Sequence, residues 1–304
     1  MIKQIYGVKG RYVCNEICRD EDPTTVEQRI RNDLLSYLSP EELAGKRVLD
    51  FGCGCGASTM VLARLLPRDC EIIGIELQEQ FLKIARLRAR HFGHKNVRFL
   101  RSPCGSRLPE EIGAFHCVIF SAVFEHLFSK ERNSLVPRIW FHLEPGGTLF
   151  INQTPHRYSP FEAHTTGLPL INYLPDKATH FVATRFSKRI PIDDTWETLL
   201  RKGIRGGTAN EVLEILRRAG GSPALLAPAE PVGDRIDLWY RGLSPRYAWL
   251  KRSIWAALKI SKLVTRIEMA PVLALAIRKG TRGATAASPS PAGAGPAVIG
   301  KRSA

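Results

Sequence analysis

The chain has 304 residues, 44% of them hydrophobic, enough to bury a sizeable core as one large domain with additions or as two small ones. No charged segment leading into a long apolar one opens it, so no secretory signal is expected, and no stretch reaches the ~20 nearly uncharged apolar residues of a membrane span. Seven cysteines without a regular framework fit a reducing compartment, with the cytoplasm as the default. The net charge of +15 is concentrated at one end: from Arg241 onward there are 12 Lys/Arg and a single acid, Glu268.

Little pattern marks residues 1–22. Thr24 or Thr25 is placed to cap a helix over 26–38, where Val26, Ile30, Leu34, Leu35 and Leu38 recur at helical spacing. Arg47–Phe51 reads as a first strand, followed by three glycines at alternate positions and a helical pattern from Thr59 to Leu66. Glu71–Glu76 is a second strand and Gln80–Phe92 a helix. Val97–Leu100 is a short third strand, Ala114–Ser121 a fourth, Lys130–His142 a helix, and Thr148–Ile151 a fifth strand after the turn Pro145-Gly146-Gly147. This alternation predicts a Rossmann-like α/β fold, a mostly parallel sheet with helices on both faces. The rhythm breaks over 152–206, which carries five prolines, many aromatics and three histidines and is too long for an ordinary connection. Thr208 caps a helix over Ala209–Ala219. Ser222–Leu226 and Arg235–Tyr240 are two further strand candidates, expected to pair antiparallel at a sheet edge.

Residues 246–268 return to helical spacing. Leu250, Ile254, Leu258, Ile260, Leu263, Val264 and Ile267 fall on one arc. Lys251, Arg252, Lys259, Lys262 and Arg266, with Trp255 among them, fall on the other. Such a basic amphipathic helix suits either an anionic membrane surface, hence a peripheral location on the inner face of a membrane, or packing against the domain's own sheet edge. From Gly280 the Ala/Gly/Pro/Ser run is expected to be disordered.

The chemistry is carried by Asp50-x-Gly52-x-Gly54-x-Gly56. Glycines let the backbone bend and let a ligand lie against it without a Cβ, and the helix that follows offers free N–H groups. The third glycine comes one residue earlier than in the dinucleotide fingerprint, and an acid precedes the first. A carboxylate aimed into the pocket is a poor neighbour for a pyrophosphate and suits an ammonium or sulfonium. Glu76, 20 residues after Gly56, stands where a carboxylate can take both hydroxyls of a ribose.

Four stretches, Val48–Gly56, Gly74–Glu76, Phe115–Leu127 and Leu143–Leu149, follow in the order of the class I S-adenosylmethionine-dependent methyltransferases, which the chain resembles over roughly residues 26–240. Glu125-His126-Leu127 is common in their small-molecule and lipid members. The resemblance implies a seven-stranded sheet with a reversed last strand and S-adenosylmethionine across its carboxyl edge. It implies Gly52, Gly54 and Gly56 at the cofactor's amino-acid end, Glu76 on the ribose, and Ser121 and its neighbours on the methyl-donor side; Asp50 and Leu77 are further cofactor-site candidates. After the third strand the family often has an acid that contacts adenine; here either Ser102 or the backbone alone has to serve. Phe115-His116 stands where Phe-Asp is usual.

Methyl transfer from a sulfonium is an in-line displacement that needs no metal, and none is expected. An oxygen acceptor must lose a proton, for which histidine is the usual device. His126, His156, His164 and His180 are candidates, with His126 and His164 favoured. The expected acceptor is a small molecule, lipid or glycan, methylated on oxygen. The charge suggests a nucleic-acid methyltransferase as an alternative, but Ser121-Ala122-Val123-Phe124 stands where a base-methylation motif would be. A cofactor-binding protein without transferase activity is the other alternative. The expected organisation is a helical cap over 1–45, a methyltransferase domain over 46–240 with an acceptor-side insertion at 152–206, a helical extension over 241–279 and a tail over 280–304.

Overall fold

In the sheet, neighbouring residues of each central strand turn to opposite sides, and both sides are apolar. Leu49, Ile73, Val118 and Leu149 face one core; Val48, Ile72, Cys117, Ile119 and Phe150 face the other. The computed structural model describes residues 1–22, 25, 29–105, 107–109, 112–229, 231–243 and 246–281. The expected tail, from residue 282 on, lies outside the described residues, as do Thr24 and the start of the first expected helix at 26–28.

The sheet strands are β1 (Arg47–Phe51), β2 (Glu71–Glu76), β3 (Val97–Arg101), β4 (Phe115–Ser121), β5 (Leu143–Pro155), β6 (Pro223–Leu225) and β7 (Val272–Lys279). Their spatial order is β3-β2-β1-β4-β5-β7-β6. β1 to β5 pair in parallel, and β7 runs antiparallel to both β5 and β6. The expected seven-stranded, mostly parallel sheet with a reversed last strand is therefore present.

Three helices precede and cap the sheet: α1 (Ile2–Lys9), α2 (Val13–Cys18) and α3 (Arg29–Leu35). α4 (Ala57–Leu65) and α5 (Glu79–His91) follow β1 and β2; α6 (Ser129–Phe141) follows β4. α1 and α2 form where the sequence shows little pattern. A buried ion-pair cluster holds them, in which Arg88 of α5 meets Glu16 at 3.0 Å and also Asp20. The segment after β5 carries a two-strand hairpin (Phe161–Glu162 with Leu168–Pro169), α7 (Asp176–Phe186) and α8 (Trp196–Arg201). It has a small core of its own in Ile171, Ala183, Ile190, Leu199 and Ile204. α9 (Ala209–Arg218) returns to pack beside α6.

Two expectations at the C-terminal end are corrected. Arg235–Tyr240 is not a strand but the body of α10 (Arg235–Arg241), because Asp234 accepts the N–H groups of Ile236 and Asp237 at 3.0 Å each and starts a helix there. The partner of β6 is instead Val272–Lys279, from the stretch read as helical extension, so the sheet is completed beyond residue 240. Between them lies α11 (Ala248–Thr265). No helix among the described residues is long and apolar enough to cross a membrane.

Candidate active site

Strand order reverses between β1 and β4, and ligands of open α/β sheets bind at the carboxyl ends of the strands at such a point. A cavity of about 540 Å³ opens there, a volume in the usual range for small-molecule sites. Gly52 follows β1 into its wall, Glu76 and Leu77 come from the end of β2, Ser102 from the end of β3, and Ala122, Val123 and His126 from the end of β4.

The glycine turn needs its glycines for different reasons. All three have φ in the left-handed region: +74° at Gly52, +53° at Gly54 and +83° at Gly56. A Cβ on Gly52 would lie 2.7 Å from Val123, and one on Gly56 2.9 Å from Ala85. A Cβ on Gly54 would meet no protein atom, so the turn leaves open space there for a ligand to lie against the backbone.

The two acids of the motif part company. Asp50 is not aimed into the pocket. It is buried and accepts hydroxyl hydrogen bonds from Ser58 at 2.7 Å and Thr59 at 2.6 Å, so it fixes the start of α4 behind the turn. Burial raises its pKa, opposed by those two hydroxyls. Glu76 does face the cavity. Its Oε2 accepts the Gly54 N–H at 3.1 Å and its Oε1 accepts the N–H groups of Leu77 at 2.8 Å and Gln78 at 3.0 Å. A carboxylate has about four lone-pair positions, so capacity remains for a hydroxyl. Ser102 is buried with its hydroxyl donating to the carbonyls of Arg107 and Cys104, and it contributes wall rather than a free donor. Ser121 ends β4 half-buried, with the next two residues in the cavity wall. A cavity of this size, a glycine turn open at Gly54 and a carboxylate beside it fit S-adenosylmethionine.

Residues 48–147 match the family model described as "Methyltransferase domain". Over this stretch, from β1 to the turn inside β5, the chain is similar to methyltransferase domains. The chain is 33% identical over 119 residues to a ubiquinone biosynthesis O-methyltransferase of Acinetobacter baumannii (strain ACICU), covering 38% of this chain and 48% of that protein. It is 31% identical over 147 residues to one of Xanthomonas euvesicatoria pv. vesicatoria (strain 85-10), covering 48% and 59%. The chain thus spans about half the length of the curated relatives it matches. An O-methyltransferase family protein from Burkholderia thailandensis shares the fold, with a TM-score of 0.52 over 92% of this chain and 63% of that one at 14% identity.

On the far side of the methyltransferase cavity, His126 and His164 come together, with ring centroids 5.7 Å apart. His126 lines the cavity; His164 is exposed. The Nδ1 of His126 lies 2.7 Å from the carbonyl oxygen of Arg201, and a carbonyl only accepts, so Nδ1 is the donor of that bond. Nε2 faces Glu125 Oε1 at 3.7 Å. Glu125 is fully buried. Its Oε2 accepts the Thr154 hydroxyl at 2.7 Å, while its Oε1 has no hydrogen-bond partner. One ligand atom from each of Glu125, His126 and His164 lies within 4.8 Å of the others, a spacing that can hold a cation. His156 and His180 belong elsewhere. The Nδ1 of His156 accepts the Tyr158 N–H, and His180 bonds the Asp194 carbonyl.

Several residues that build this side were not singled out in the sequence. Arg201 of α8 makes two bonds of 2.6 Å to Glu131 of α6, donates to the His126 carbonyl at 3.0 Å and lies over the Phe128 ring. This fork straps the insertion across the cavity mouth. Glu162 is a buried hub that accepts the N–H groups of His164 at 2.9 Å, Thr165 at 2.8 Å and Thr166 at 2.5 Å, and the Thr166 hydroxyl at 2.7 Å. It therefore sets where His164 stands. Nothing local marks either acid, since their partners are far away in sequence or are backbone groups. Glu125 belongs to the Glu-His-Leu turn, whose sequence alone assigns it no role.

Proposed function

We propose that the protein transfers the methyl group of S-adenosylmethionine to an oxygen of a small, lipid-like acceptor held between the end of β4 and the segment that follows β5. The observation that carries this reading is the cavity itself: one wall is the glycine turn with Glu76, and the other includes His126, whose Nδ1 is held by the Arg201 carbonyl. The ubiquinone O-methyltransferases among the relatives support an oxygen acceptor on a lipid-like molecule. When bound, the cofactor supplies a methyl group on a positively charged sulfur, ready for displacement. Glu76 and the turn at Gly54 hold the donor. His126 takes the proton of the acceptor hydroxyl on Nε2, and buried Glu125 stabilises the imidazolium so formed. The Arg201–Glu131 strap holds α8 against the mouth, which positions the acceptor and limits water.

The test is incubation of the full chain with methyl-labelled S-adenosylmethionine and lipid extracts. Label in an extractable methyl ether is expected, lost with Glu76→Ala and His126→Gln. Transfer at the same rate by both variants contradicts the assignment. A second reading rests on the unpartnered Glu125 Oε1: a divalent cation held by Glu125, His126 and His164 orients two acceptor oxygens. Chelation followed by metal add-back separates the two, since activity unchanged by chelation leaves the base reading alone.

A further inference from the structure

α11 packs on the protein with the wrong face for a helix in water. Its inner side is the basic arc. Lys259 Nζ bonds Asp234 at 2.9 Å and Asp237 at 2.8 Å, and Lys262 bonds Asp234 at 2.6 Å and Glu268 at 2.7 Å. The Trp255 indole N–H donates to Asp237 at 2.8 Å, and Leu258 is the apolar contact, packed with Ile236 and Ala270. The apolar arc points outward: Leu263 is 83% exposed, Val264 77%, Trp249 72% and Ile260 64%, with Leu250, Ile254 and Ile267 exposed beside them. A surface helix ordinarily does the reverse, and a contiguous apolar strip of this kind marks an interaction surface.

The charge around the strip selects the occupant. Arg252 is exposed on the helix and Arg246 and Arg266 are exposed at its two ends, and the chain from Arg241 onward has 12 Lys/Arg against one acid. Two copies meeting through this face would bring like charges together. The residues beyond 281 offer Val298 and Ile299 as their only large aliphatic side chains, too few to cover the strip. A bilayer with anionic headgroups satisfies both features, since the aliphatic side chains and Trp249 enter the headgroup–acyl boundary while the arginines meet lipid phosphates.

We infer that α11 docks the protein on an anionic membrane surface through Trp249, Ile260, Leu263, Val264 and the residues flanking them, lying in the plane of the interface without crossing it. The ion pairs of Lys259 and Lys262 are what turn the helix inside out.

Sedimentation of the full chain with vesicles of phosphatidylcholine containing about a third phosphatidylglycerol, at low salt, is the test. The protein is expected to pellet with these vesicles, to bind pure phosphatidylcholine more weakly, and to lose at least roughly tenfold in partitioning with the double variant Leu263→Glu/Val264→Glu. Both positions face outward, so the variant should keep the wild-type circular dichroism and S-adenosylmethionine affinity; the milder pair Leu263→Ala/Val264→Ala should give an intermediate loss. Failure of the wild type to bind anionic vesicles overturns the inference. So does unchanged binding by the glutamate variant, or a concentration-dependent dimer that the same variant dissociates, which would make the strip a contact between copies. Because the readout is partitioning, its failure leaves the methyl-transfer reading untouched, and loss of transfer leaves this one untouched.

Discussion

The wall proposed to hold the donor is made by four adjacent strand ends and one five-residue glycine turn, whereas the wall proposed to hold the acceptor is made by a segment that leaves the sheet at Pro155 and ends at Thr208, where α9 begins. On the donor side the fixing interactions are local, such as Asp50 on Ser58 and Thr59 or Glu76 on Leu77 and Gln78. On the acceptor side the local Glu162 hub is joined by long-range contacts: Thr154 on Glu125, Arg201 on Glu131, and Arg132 on both the Gly206 carbonyl and Glu211. The donor site can thus stay intact while the acceptor site is dismantled.

Four changes break or sharpen this division. His126→Gln keeps a polar side chain but removes the proton acceptor; kcat should fall roughly 10²–10⁴-fold while calorimetry shows unchanged S-adenosylmethionine affinity. A parallel loss of affinity would mean that His126 belongs to both sides.

His156, at the root of the insertion, has its pKa lowered to about 4 by burial. The native state holds it neutral, so its contribution is present above the unfolded pKa of about 6.5 and is lost as pH falls toward 4, up to about 3 kcal/mol. Urea unfolding at pH 7.5 and pH 5 should show about 2 kcal/mol of that fall in the wild type and a flatter profile in His156→Asn.

Glu162→Gln turns an acceptor toward donors in the hub that holds Thr165, Thr166 and the backbone of His164. Unfolding should be easier by about 2–3 kcal/mol, with methyl transfer falling and S-adenosylmethionine affinity within about threefold of wild type. The smallest effect is expected for Arg201→Lys, which loses the bidentate fork to Glu131. KM for the acceptor should rise roughly tenfold with kcat little changed. A kcat effect alone would place Arg201 in the chemistry rather than at the mouth.

The same division explains what could be read from residues alone. β1 to β5 and the glycine turn are visible because apolar runs end in glycines and acids at fixed spacing. The side on which Asp50 lies was misjudged, although Ser58 and Thr59 stood as the signal that a helix start would claim it. α10 was read as a strand because Ile236, Leu238 and Tyr240 alternate; the capping pair Asp234 and Asp237 was the contrary evidence. β7 was missed because Val272–Lys279 follows a helical pattern, and its pairing partner β5 lies more than a hundred residues earlier in the chain. On the acceptor side His126 and His164 could be nominated by type. The carboxylates beside them could not, because Glu125 finds its partner Thr154 29 residues away and Glu162 holds mostly backbone N–H groups.

The most direct test of the central claim is calorimetric titration of the full chain with S-adenosylmethionine, alongside Gly54→Val and Glu76→Ala. The account predicts one site per chain in the wild type. Affinity should fall at least roughly tenfold in Glu76→Ala, where the charge-assisted hydrogen bonds are lost, and in Gly54→Val, where the new side chain fills the open space over the turn. Equal affinity in all three proteins would contradict it and move the donor away from the β1–β4 switch point.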